Sequence, residues 1–166
     1  MSQETPRLFR AVTSADAIAV QRALAAGADV NATDDRGRNI ASYAALGDAY
    51  VYPLLLDFFF FTLPHRIDSI DASTQPRLSE RRLNILQLIL QHPDISLYSL
   101  NAPLEWAGGV TLLGLMSWLN MSTEIMCLLE FTQGLVEVNA MDEQGATPLM
   151  CAFLNFPCEF SLSHAT

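Results

Sequence analysis

Two stretches near opposite ends of the chain run through the same succession of signals, and any fold must accommodate both. From Ser14 to Ala26 apolar residues recur at Ala17, Ile18, Val20, Ala23 and Leu24, close to helical spacing, with Thr13 or Ser14 placed to cap and Asp16 in the first turn. Gly27 follows as a stop, because glycine can take the left-handed conformation that closes a helix. Ala28-Asp29-Val30-Asn31-Ala32 and the turn Thr33-Asp34-Asp35-Arg36-Gly37 then reverse the chain. Toward the other end, Ser122 is placed to cap a helix through Phe131, with Glu124 in its first turn and Ile125, Met126, Leu128 and Leu129 on one side. Gly134, Val136-Glu137-Val138-Asn139-Ala140 and the turn Met141-Asp142-Glu143-Gln144-Gly145 come next, in the same order. Thr147 and Pro148 then open another helix, since proline's missing N–H costs nothing at a first helical position.

On these residues the chain resembles the ankyrin-repeat family, whose unit of about 33 residues carries Thr-Pro-Leu-His-x-Ala at the start of its inner helix. The run from Asp142 to Ala152 follows that signature with Met150 in the His position, and Gly27-Ala28-Asp29-Val30-Asn31-Ala32 matches the segment that leaves the outer helix. Leu8-Phe9-Arg10-Ala11 stands as a worn Leu-His-x-Ala. The turn glycines Gly37, Gly109 and Gly145 lie 72 and 36 residues apart, so the first interval is twice the second. Thr111-Leu112-Leu113-Gly114-Leu115-Met116 and Asn39-Ile40-Ala41-Ser42-Tyr43-Ala44 fall where further inner helices would start. Arg81 to Gln91, apolar at Leu83, Leu86, Ile89 and Leu90, reads as an outer helix closed by His92-Pro93-Asp94-Ile95-Ser96.

The resemblance implies an all-α fold, an ankyrin-type stack of helical repeats with hairpin tips and one insertion, in a single domain over residues 1–166. Residues 8–36 form the N-terminal capping repeat, and 37–96 a degenerate repeat with an insertion around 47–79. Residues 97–144 form a repeat with an enlarged loop, 145–156 the inner helix of an incomplete last repeat, and 157–166 a tail. Within the insertion Asp48–Phe61 reads as an extra helix and Leu63–Ser79 as a loop; two worn repeats over 37–96 are the competing division. Beyond Ala152 no outer helix is legible, so apolar surface is expected at the end of the stack.

Charge narrows the class of partner. Nine Arg and no Lys stand among the first 82 residues against ten acids, whereas the remainder carries eight acids and no cation at all. Phosphate binding needs clustered Lys or Arg, so nucleic acid is excluded from that half, and a protein partner with a basic surface is its electrostatic counterpart. Charged residues are 16% of the chain and hydrophobic ones 51%, which describes a folded core. Met1 to Arg10 holds no apolar leader, and Cys127, Cys151 and Cys158 make no disulfide framework, so a reducing compartment, cytosol or nucleus, is expected. Tyr50–Leu63 is strongly apolar but falls short of a spanning helix and contains Pro53 and Asp57, so no transmembrane segment is expected.

The chemistry-bearing residues do not assemble into a motif. His65, His92 and His164 are scattered away from the cysteines, which gives no metal expectation. Gly109 to Gly114 has the glycine spacing of a phosphate loop but Leu115-Met116 where Lys-Ser/Thr belongs. The expectation is therefore neither enzyme nor cofactor, but an interaction module or adaptor. The family resemblance implies that its contacts lie on the tips: Thr33, Asp34, Asp35, Arg36 and Arg38; Tyr98, Glu105 and Trp106; and Met141, Asp142, Glu143 and Gln144. The chain is expected to be monomeric or weakly self-associating through its uncovered last helix. Two alternatives remain open on these residues: a membrane-surface protein held by Tyr50–Leu63, and a truncated product of a longer repeat protein.

Overall fold

The structure is a computed structural model that describes residues 3–47 and 76–154. Asp48–Phe61, the apolar run Tyr50–Leu63, the loop as far as residue 75, His65, His164, Cys158 and the tail lie outside the described residues.

The described chain is all-helical. Its elements are α1 (Glu4–Thr13), α2 (Ala17–Ala25), α3 (Ile40–Leu46), α4 (Pro76–Leu90), α5 (Leu97–Asn101), a short 3-10 turn (Glu105–Ala107), α6 (Leu112–Trp118), α7 (Ser122–Phe131) and α8 (Pro148–Leu154). They pack in two rows. α1 lies on α3, α3 on α6 and α6 on α8, while α2 lies on α4 and α4 on α7. Across the rows α1 pairs with α2, α3 with α4 and α6 with α7. One continuous core runs between the rows, with Leu8, Ile40, Ile85, Leu86, Ile89, Leu112, Leu115 and Leu128 fully buried. Each such side chain stabilises the fold by about 1.5–3 kcal/mol relative to exposure.

Local chemistry explains where the helices begin. Asn39, Thr111 and Thr147 each sit one residue before a front-row helix, and each side-chain oxygen accepts from the backbone amide three residues on: Ser42 at 2.8 Å, Gly114 at 3.2 Å and Met150 at 3.4 Å. These are N-caps, which satisfy amides that have no partner inside a helix. Pro148 takes the first helical position as its residue type predicts. Pro76 does the same for α4, so residues 76–79 belong to a helix and not to the loop expected through Ser79.

Three further expectations need correction. α2 starts at Ala17 and is capped by Asp16, whose carboxylate accepts from the Ala19 amide at 3.0 Å; Thr13 and Ser14 belong to the end of α1. Between the two helices Ala15 is left-handed, with φ 54°, and buried, so its methyl group occupies the core where the chain breaks. Ser122 is the first residue of α7 and not its cap, and Met126 and Ile18, read as core-facing, are exposed. Finally, the link over 97–108 is not an open loop, because α5 and the 3-10 turn fill it.

α3 ends on a glycine held against the middle of α4. Gly47 has φ 65° and ψ −179°, a region essentially closed to other residues. A Cβ there would collide with the guanidinium of Arg82, which donates from Nη1 to the Leu46 carbonyl at 2.8 Å. A cation at a helix C-terminus satisfies an orphan carbonyl and meets the negative end of the helix dipole.

Candidate interaction surface

The front-row helices are entered through turns, and the first and last of these turns agree bond for bond. In one, Asp34 Oδ1 accepts from the amides of Arg36 at 3.0 Å and Arg38 at 2.8 Å, while the Asp34 amide donates to the Arg38 carbonyl at 3.0 Å. In the other, Asp142 Oδ1 accepts from Gln144 at 2.9 Å and Ala146 at 2.8 Å, and the Asp142 amide donates to the Ala146 carbonyl at 3.0 Å. An aspartate that folds its carboxylate over the next amides builds such a turn from local bonds alone. The middle turn is made differently. Leu104 pairs with Val110 through a single bridge, and Gly108 and Gly109 take positive φ.

Asparagine amides tie the connecting segments together. Asn31 donates from Nδ2 to the Asp94 carbonyl at 2.7 Å and accepts at Oδ1 from the Ser96 amide at 2.8 Å. Asn39 donates to the Ser99 carbonyl at 3.0 Å, and Asn101 accepts from the Glu137 amide at 3.0 Å. The Glu143 amide donates to the Gly108 carbonyl at 3.1 Å, joining the middle turn to the last.

The tip residues read from the sequence fall into two groups. Of the first group, Thr33 and Tyr98 line a shallow cleft of about 230 Å³ with Gly37, Asn31, Asn39, Ser96 and Leu104, whereas Asp34, Asp35, Arg36 and Arg38 do not line it. Glu105 and Trp106 stand with Met141–Gln144, through the Gly108–Glu143 bond. Asp35, Arg36, Glu105, Met141, Glu143 and Gln144 are exposed, and Tyr98, at 86%, is the most open large hydrophobic side chain among the described residues.

Two of the tip residues serve the fold first. The second oxygen of Asp34 accepts from Arg38 Nε at 2.6 Å and from the Tyr43 hydroxyl at 2.8 Å. The Arg38 guanidinium also lies 4.7 Å from the centre of the Tyr43 ring, whose edge-to-face contact with Phe9 spans 5.3 Å. A turn, α3 and α1 are thereby joined. Burial works to raise the Asp34 pKa, but the Arg38 amide, the Tyr43 hydroxyl, the Arg38 guanidinium and the Arg36 amide outweigh it and hold the carboxyl below its ordinary value. Trp106 is half-buried against the core, and its Nε1 is buried without a hydrogen-bond partner among the described residues. Of the two aromatics at the tips, Tyr98 and not Trp106 is thus the one open to solvent.

Cys127 and Cys151 are buried and unpaired. Burial pushes both thiols up, with Glu130 and Glu124 adding to the effect at Cys127 and Asp142 at Cys151. A thiol kept protonated and covered is a poor nucleophile. Under native conditions at neutral pH both are expected to resist iodoacetamide and to react only after denaturation. Peptide mapping that found either alkylated as fast as a free thiol would contradict this placement.

Among the described residues no helix is long and apolar enough to cross a membrane. No protein-family model matches the chain, and no curated protein matches it either.

Proposed function

We propose that this protein is a non-catalytic interaction module of ankyrin-type repeats, which binds a protein partner with a basic surface along the edge formed by its turns. The observation that carries the reading is the agreement between the Asp34 and Asp142 turns, each followed by a capped front-row helix. Front-row caps at Asn39, Thr111 and Thr147 keep the intervals of 72 and 36 residues seen for the turn glycines, which supports one unit used several times. A row of such units is rigid in the middle and presents its turns side by side, the arrangement from which repeat proteins bind. The non-catalytic reading is supported by what the reactive groups do. Asp34 is committed to four donors, and the thiols of Cys127 and Cys151 are buried.

The acidic tips make the reading testable. Once a partner is captured and identified by mass spectrometry, its affinity is expected to fall as salt rises. Glu143→Lys, at an exposed tip position, is expected to weaken binding by about threefold to tenfold at low ionic strength. An affinity indifferent to both salt and this substitution would reject the acidic edge as the contact surface.

A further inference from the structure

We draw no further inference here: the strongest candidate, the shallow and mostly apolar cleft that Thr33, Tyr98 and Ser99 line between the first turn and α5, carries none, because nothing in the structure shows what covers it.

Discussion

Leu128→Asp is expected to abolish cooperative folding. Leu128 is fully buried on α7, the helix that touches both α4 in its own row and α6 across the core. The substitution forfeits about 2–3 kcal/mol of apolar burial and forces a carboxyl into a fully buried apolar site, at a further cost of several kcal/mol. Domains of this size are stable by about 5–15 kcal/mol in total, so the two losses together consume most or all of the margin. Circular dichroism should show no cooperative thermal transition, while Leu128→Ala should keep one, lowered by about 2–5 kcal/mol. A melting temperature unchanged by the aspartate would mean that α7 does not face the core as described.

Asp34→Ala should be the most damaging change on the edge itself. It removes the acceptor of four hydrogen bonds and the partner of Arg38, and the side chains of both residues are nearly covered, at 13% and 11% exposure. Leaving such donors without an acceptor is expected to cost about 2–3 kcal/mol in denaturant unfolding, and Asp34→Asn, which retains one oxygen, about 1 kcal/mol less. The pH dependence follows from the direction of the Asp34 shift. The folded carboxyl titrates below 3.8 and the unfolded one near it, so the stabilisation is whole above that value and drains away as the pH falls through the folded pKa. The gap between wild type and Asp34→Asn should therefore be constant at neutral pH and narrow in acid. A gap that widened in acid would reverse the assigned sign.

What the sequence makes legible here is what local chemistry controls. Thr147 and Pro148 begin a helix because cap and first-turn geometry are decided within three residues, and the turn at Asp142 closes on its own carboxylate. Placement decided by neighbours distant in the chain is not legible in the same way. Ala15 is a strong helix former, so nothing in its type announces the left-handed break that the packing of α1 on α2 imposes. Ile18 and Met126 fit an apolar stripe by spacing, yet each helix buries only the side that meets two others, and these two fall outside it. Trp106 has polar or small neighbours in sequence that leave its placement open, and only the structure shows it half-buried against the core while Tyr98 is exposed. The asparagines that bind segment to segment, Asn31, Asn39 and Asn101, bond to backbone groups of residues 36 to 65 positions away, a pairing that spacing does not encode.

The contact between Arg82 and the end of α3 has a consequence for how this architecture can vary. Gly47 closes α3, and the guanidinium of Arg82, midway along α4, holds that helix to the Leu46 carbonyl. The entropic cost of closing a connection between two such fixed points grows only with the logarithm of its length, by about 0.6 kcal/mol for each doubling. The end of α3 and the body of α4 are thus held together by a bond made wholly by their own residues, whose two partners stay in place whatever the length of the connection between them.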